Sequence, residues 1–287
     1  MKELIIISGK GGTGKTTITA AFAFLAQNHV LADCDVDAAD LHILARPETK
    51  CQEEFQGGVK AIIDSEKCTE CGECRAHCRY DAITEDYHVN LLTCEGCSVC
   101  YHVCPAQAVT MEDQICGNWF ISDSRLGPMV HAELFPGEEN SGKLVAVVRG
   151  QAKDLAKDGL KSLILVDGAP GVGCPVISSV TGADHVIVVT EPSLSGLHDM
   201  RRVIELVRGF GIPVSALINK WDVNRDVAST IEKYCKQDDV PLLGKIPYEP
   251  GVIKSMVNRS TVFENGGNAT VGPLREVWSR IEKEILS

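Results

Sequence analysis

The chain has 287 residues, 44% hydrophobic and 23% charged, a balance that suits a soluble globular protein and has room for one α/β unit carrying an insertion. A formal net charge of −11 without any basic block argues against nucleic acid as a partner. No apolar run reaches spanning length and no signal peptide is evident, so a cytoplasmic protein with no membrane partner is expected.

The apolar run Leu4–Ile7 predicts a strand, and a helical pattern starts at Thr17. Between them Gly9-Lys10-Gly11-Gly12-Thr13-Gly14-Lys15-Thr16 satisfies G-x-x-x-x-G-K-[ST], in the strand–loop–helix setting that makes this motif a phosphate-binding loop. Glycines let backbone N–H groups turn inward, and the helix N-terminus adds partial positive charge. A ligand-free glycine-rich turn is the alternative, and Lys15-Thr16 weighs against it. Lys15 is expected to neutralise phosphates and Thr16 to hold Mg²⁺, with Thr17 beside them. Lys10, a second lysine within the loop, is unusual. Val30-Leu-Ala-Asp33-Cys34-Asp35 reads as a second strand ending in acids. Carboxylates at a strand's carboxyl end hold Mg²⁺ or orient water, although a solvated acidic turn would look the same. Asp35 becomes the preferred Mg²⁺ residue once a second acidic motif appears, and Cys34 is expected to pack on the opposite strand face.

From Gly57-Gly58 the pattern changes, and an insertion over residues 58–113 separates a first part, 1–57, from a second, 114–287. Of thirteen cysteines, eight fall in two runs. Cys68-x₂-Cys71-x₂-Cys74-x₃-Cys78 repeats, 26 residues on from Cys68 to Cys94, as Cys94-x₂-Cys97-x₂-Cys100-x₃-Cys104-Pro105. Metal clusters explain such spacing better than disulfides. Structural zinc is the competing reading, but three cysteines in each C-x₂-C-x₂-C run suit a cubane better. The duplication resembles a bacterial-type ferredoxin with two [4Fe-4S] clusters, with Arg79 replacing the proline that usually follows the fourth cysteine. In that family the fourth cysteine of each run ligates the other cluster. The resemblance therefore implies one cluster on Cys68, Cys71, Cys74 and Cys104, and another on Cys94, Cys97, Cys100 and Cys78. His77 and His102 are read as surface residues, and Cys51 and Cys116 as ordinary ones.

After the insertion, Asn118–Ser122 and Pro128–Leu134 predict short strands. An amphipathic helix then opens within 138–143, with Asn140 or Ser141 as its cap, and carries Leu144, Val147, Val148 and Leu155. A phosphate or partner contact from Lys143 is a minor alternative. Leu163–Val166 is a buried-strand pattern leading into Asp167-Gly-Ala-Pro-Gly171, an acid and turn suited to sensing the γ-phosphate. The lysine-bearing phosphate loop, the early strand-end aspartates and the later D-x-x-P-G resemble the MinD/Mrp-type dimeric P-loop ATPases, above all the subgroup with an inserted ferredoxin domain. The fold implied is a mostly parallel, doubly wound P-loop NTPase sheet with an inserted α+β two-cluster domain. The same resemblance implies that Lys10 reaches across a homodimer to the partner's nucleotide, and that Asp35 and Asp167 order Mg²⁺ and water.

Cys174 stands seven residues after Asp167, where the nitrogenase iron protein, a relative, carries a cluster ligand. That protein's second ligand cysteine has no counterpart near 138–143, so Cys174 is read as an ordinary helix-start cysteine. Val186–Thr190 and Pro213–Ile218 predict strands, the first followed by Glu191-Pro192 and a helix over Gly196–Gly209. Asn219 at the end of the second strand is the base-recognition choice, with Lys220 beside it. Asn219-Lys220-x-Asp222 would also suit guanine; the resemblance favours adenine. Leu242–Pro247 predicts the last strand. A terminal helix presents Leu274, Val277, Trp278, Ile281 and Ile285 on one face, and its balanced charges are unlike a membrane anchor.

The resemblance implies an ATP-hydrolysing protein whose homodimer cycle gates electron transfer through two [4Fe-4S] clusters to a redox partner, or supports metallocofactor assembly. A labile cluster carrier is the alternative. It lacks support from a C-x-x-C pair after Cys174, where only Cys235 remains. A redox-sensing nucleotide switch is a third reading.

Overall fold

Runs such as Leu4–Ile7, Leu163–Val166 and Val186–Val189 are apolar at every position, the signature of parallel strands covered on both faces. The computed structural model describes residues 1–138, 141–265 and 267–287. In chain order they form β1 (Lys2–Ser8), α1 (Lys15–Leu25), β2 (His29–Asp33), α2 (Leu41–Ala45), β3 (Glu48–Ile63), α3 (Glu73–His77), α4 (Val99–Val103), β4 (Val109–Ser124) and β5 (Gly127–Leu134). There follow α5 (Ser141–Asp158), β6 (Leu163–Pro170), α6 (Cys174–Val180), β7 (His185–Thr190), α7 (Leu194–Gly209), β8 (Val214–Asn219) and α8 (Arg225–Gln237). The chain closes with β9 (Leu242–Ile246), α9 (Pro250–Val257), α10 (Val262–Asn265) and α11 (Asn268–Ile281).

Two compact units emerge. The larger comprises Met1–Glu53, Trp119–Glu133 and the chain from Ser141 onward; the smaller comprises Glu54–Asn118 and a segment beginning at Leu134. The insertion expected from sequence spans 58–113. The edges differ because they fall inside β3 and β4, strands that run unbroken through Gly57-Gly58 and Gly117-Asn118, so those turn-type residues mark no boundary there. For the same reason the short strand expected at Asn118–Ser122 is the end of a 16-residue strand. Asn140, one of the two cap candidates, lies outside the described residues.

The sheet order is β3-β4-β5-β2-β6-β1-β7-β8-β9. Its centre is parallel throughout: β1 pairs with β6 and β7, β2 with β5 and β6, and β8 with β7 and β9. Side chains alternate across this sheet. Leu4, Ile6, Leu31, Leu165, Ile187 and Leu217 join a buried cluster with Ile18 and Phe22 of α1 and Leu274, Val277, Trp278 and Ile281 of α11. Phe22 and Trp278 meet with ring centroids 5.4 Å apart. Alternate residues, including Ile5, Ile7, Val166 and Val188, are equally buried, as are Leu144 and Val148 of α5 and Val176 of α6. Val147 and Leu155 of α5 are half-buried.

On that side one ion pair is enclosed. Glu3 accepts two hydrogen bonds from Arg149, at 2.8 and 2.6 Å, and Lys153 lies 3.0 Å away. Arg149 also donates to the carbonyls of Ser178 and Thr181 at 2.7 and 2.8 Å, which ties α5 to the end of α6.

Candidate functional site

The carboxyl ends of β1, β2, β6 and β8 converge on the loop between β1 and α1. Gly12 and Gly14 of that loop adopt φ of 78° and 92°, left-handed values that glycine reaches without strain. A Cβ on Gly14 would collide with the Asn219 side chain. Lys15 is almost enclosed. Its Nζ lies 3.0 Å from Asp167 Oδ1 and 3.3 Å from Asp35 Oδ2. Thr16 Oγ1 donates to Asp167 Oδ2 at 2.7 Å and Thr19 Oγ1 to Asp167 Oδ1 at 2.8 Å. Both oxygens of Asp167 thus accept hydrogen bonds, and it stands within β6 rather than after it.

Asp33 completes a set of three acids. It is wholly buried, and its oxygens accept the backbone N–H groups of Asp35 and Leu41 at 3.2 and 3.3 Å, so it braces the segment that carries Asp35. Burial first, then the nearby Asp167, push the Asp33 carboxyl well above the ordinary carboxylate range. Burial also raises Asp35, with Lys15 opposing it. Lys15 would be lowered by its own burial, yet Asp167, Asp35 and Asp33 outweigh that and hold it above its ordinary value. Cys34 faces away from these groups into the core, as its position between the acids predicts.

The loop opens on a cavity of about 440 Å³ lined by Gly11–Thr17, Asp35, Asn219, Lys220 and residues of the β9–α9 region, among them Tyr248, Ile253 and Met256. Thr13 Oγ1, which lines it, is buried without a hydrogen-bond partner among the described residues. Such an orphaned group, open space beside Gly11 and Gly12, and a shielded lysine make a cradle with the chemistry of a phosphate site. Asn219 Nδ2 donates to the Thr13 carbonyl at 2.7 Å, and its Oδ1 accepts the Lys220 N–H at 3.0 Å. The amide therefore braces the loop while keeping a second donor for a ligand. Lys220 Nζ donates to the Gly12 carbonyl at 2.8 Å. Asp222 is occupied otherwise: its Oδ1 accepts the Tyr248 N–H at 2.7 Å. Lys10 pairs with Glu191 of its own chain, Nζ to Oε1 2.8 Å.

The smaller unit repeats itself about a local pseudo-dyad. Asp64 N–H donates to the Ala108 carbonyl at 2.8 Å, and Asn90 N–H to the Ala82 carbonyl at 2.7 Å, the same bond with its halves exchanged. Helices α3 and α4 begin after Gly72 and Ser98, both left-handed, at φ 80° and 63°. Ala82 N–H approaches Cys78 Sγ at 3.4 Å, and Ala108 N–H approaches Cys104 Sγ at 3.3 Å. The cysteines gather across the repeat. Burial, and then the neighbouring Cys68, Cys104 and Cys71, push the Cys74 thiol up, so these three stand near Cys74. Cys78, Cys94, Cys97 and Cys100 line a separate small cavity with Ala61 and Met111. Among the described residues, no three of His, Cys, Asp and Glu are set to grip a single metal ion. A cubane asks for something else, since each of its thiolates binds a different iron. His77 and His102 are exposed. Cys174 is exposed as the first residue of α6.

Residues 4–262 match the CobQ/CobB/MinD/ParA nucleotide binding domain. The chain belongs to that family. An uncharacterized protein of Methanocaldococcus jannaschii is 34% identical over 288 residues, which cover 99% of this chain and 97% of that one. The MinC:MinD cell division protein complex of Aquifex aeolicus is similar with a TM-score of 0.60 at 18% identity, over 99% of this chain and 97% of that one. The septum site-determining protein MinD of Pyrococcus horikoshii, complexed with Mg-ADP, gives 0.59 at 17% identity, over 100% and 98%. The chain is therefore a MinD/ParA-type nucleotide-binding protein with the α/β P-loop NTPase fold and a mostly parallel sheet. No helix among the described residues is long and apolar enough to cross a membrane.

Three parts of this MinD/ParA-type site escape sequence reading. Glu191 stands beside Pro192 at a strand end, but nothing local shows that two lysines will meet it. Asp33 reads as one of two similar acids; only its burial separates their roles. Helix α9 lines the cavity with half-exposed residues, so its eight positions carry no clean apolar stripe. Lys143 is exposed near the start of α5.

Proposed function

We propose that this chain is an ATP-hydrolysing iron–sulfur protein, in which the nucleotide cycle of a homodimer gates electron transfer through two [4Fe-4S] clusters to a redox partner. Assembly of a metallocofactor in such a partner is the other output compatible with the same parts. The observation that supports the reading is that Cys68, Cys71 and Cys104 stand near Cys74, while Cys78, Cys94, Cys97 and Cys100 line one small cavity, which agrees with ligand sets crossed between the two runs. Each set offers four thiols, and the N–H groups of Ala108 and Ala82 approach Cys104 and Cys78 where they would stabilise sulfur charge. Bound there, the clusters would supply single-electron chemistry.

At the nucleotide, the loop Gly9–Thr17 would cradle the phosphates of ATP and Lys15 would neutralise them. Thr16 and Asp35 would hold Mg²⁺, while Asp35 and Asp167 keep the attacking water in place. Asn219 and Lys220 form the base side. The fold shared with a MinD complexed with Mg-ADP supports a Mg-nucleotide here and favours adenine over guanine. Lys10 is assigned to the nucleotide of the second copy.

Double substitutions test the crossed ligand sets. Cys68→Ser with Cys104→Ser removes two ligands of one set, so anaerobically purified protein should keep about half the wild-type iron and one EPR-active cluster. Loss of both clusters would mean that each run serves its own cluster, and absence of iron from the wild type would end the iron–sulfur reading.

A further inference from the structure

Lys10 is fully satisfied by its own chain. An ammonium group has three N–H donors. Those of Lys10 have three acceptors: Glu191 Oε1 at 2.8 Å, Ser193 Oγ at 3.2 Å and Ser195 Oγ at 3.0 Å. Glu191 follows β7, and Ser193 is the N-cap of α7, its Oγ accepting the Gly196 N–H at 3.0 Å. The acceptors are thus fixed by regular structure. Glu191 Oε2 turns to Lys220 Nζ at 3.3 Å, and that ammonium also holds the Gly12 carbonyl. One carboxylate therefore gathers both lysines at the mouth of the phosphate loop. Burial would raise this carboxyl, but the hydrogen bonds from Lys10 and Lys220 outweigh it and hold it below its ordinary value.

A lysine whose three donors are in use cannot also reach a phosphate bound to another copy; it must first let go. We propose that Glu191 is the positioning residue that keeps Lys10 stowed on its own chain, and that pairing of two copies around ATP requires the Lys10–Glu191 contact to open. Glu191 then sets the ATP concentration at which the dimer forms. This rests on the homodimer reading above. The lysine and glutamate side chains are 30% and 24% exposed, so the restraint is modest and reversible. Two such pairs open per dimer, and their loss should tighten ATP-driven dimerisation by roughly 3- to 30-fold.

Sedimentation across an ATP series, with ADP as control, reads this directly. Glu191→Gln should dimerise at an ATP concentration roughly 2- to 5-fold below wild type, the square root of that gain because two ATP molecules bind per dimer, and Glu191→Asp should restore wild-type behaviour. Ser195→Ala removes another Lys10 acceptor and should shift the curve the same way by a smaller factor. In a Lys10→Ala background, where the lysine that reaches the second copy is gone, Glu191→Gln should not restore ATP-driven dimerisation, and the shift given by Ser195→Ala, which touches Lys10 and not Lys220, separates stowing from an effect on Lys220. The stowing role is overturned if Glu191→Gln dimerises at the wild-type concentration or a higher one, or gains equally without Lys10. A wild-type protein that stays monomeric at every ATP concentration would instead refute the homodimer reading, which keeps the two failures apart.

Discussion

Replacing Lys15 by Met keeps the length of the side chain and deletes its charge from a set of three acids. Lys15 Nζ lies 3.0 Å from Asp167 and 3.3 Å from Asp35, with Lys15 and Asp167 almost free of solvent. At an effective dielectric near 20 each contact is worth about 5 kcal/mol gross, most of it offset by desolvation. Removing one partner of a buried pair costs about 3–5 kcal/mol. Without the lysine charge Asp167, Asp35 and Asp33 face one another uncompensated, so about 3 kcal/mol is expected at pH 8. The pH dependence has a definite sign. Lys15 is held above its ordinary value and stays charged throughout the acid and neutral range. Asp33 and Asp35 are raised in the fold, so each lowers stability as pH climbs from the ordinary carboxylate value through its folded one. Without Lys15 those folded values rise further. The loss should therefore grow from pH 5 to pH 8, read by guanidinium denaturation without nucleotide. A loss below about 1 kcal/mol, or one independent of pH, would refute this account of the acid set.

Glu3→Gln leaves Arg149 buried with no carboxylate, and chemical denaturation should register a loss of about 3–5 kcal/mol. Burial pushes His131 and His185 down to about 4 from an ordinary value of 6.5. The unfolded chain binds protons below pH 6.5 while the folded chain does not until about pH 4, so stability falls as pH drops through that window. Each imidazole contributes up to about 3 kcal/mol of that fall, and changing both to Asn should flatten the denaturation profile between pH 6.5 and 4.

What could be read from sequence was chemistry concentrated in short stretches. The phosphate loop lies within one turn between a strand and a helix, and its glycines and Lys15 mark it locally. The cysteine runs announce themselves by doubled spacing, and the pseudo-dyad seen in the Asp64–Ala108 and Asn90–Ala82 bonds is the spatial form of that duplication. Groups whose partners are remote in sequence were invisible. Glu3 and Arg149 are 146 residues apart, and Lys10 meets Ser193 across 183. Nothing near any of them encodes the meeting; the parallel crossovers of the sheet bring them together. The unit edges were blurred for a related reason, since β3 and β4 run unbroken through them.

Gating of cluster reduction by ATP tests the central proposal most directly. Anaerobic EPR-monitored reduction of the iron-loaded protein would be followed with Mg-ATP, with Mg-ADP and with neither, beside a Lys15→Met control. The account predicts that ATP alone changes the rate of electron delivery to an acceptor or the midpoint potential of a cluster, and that the control shows no such response. Identical spectra, potentials and rates in all three conditions would contradict it.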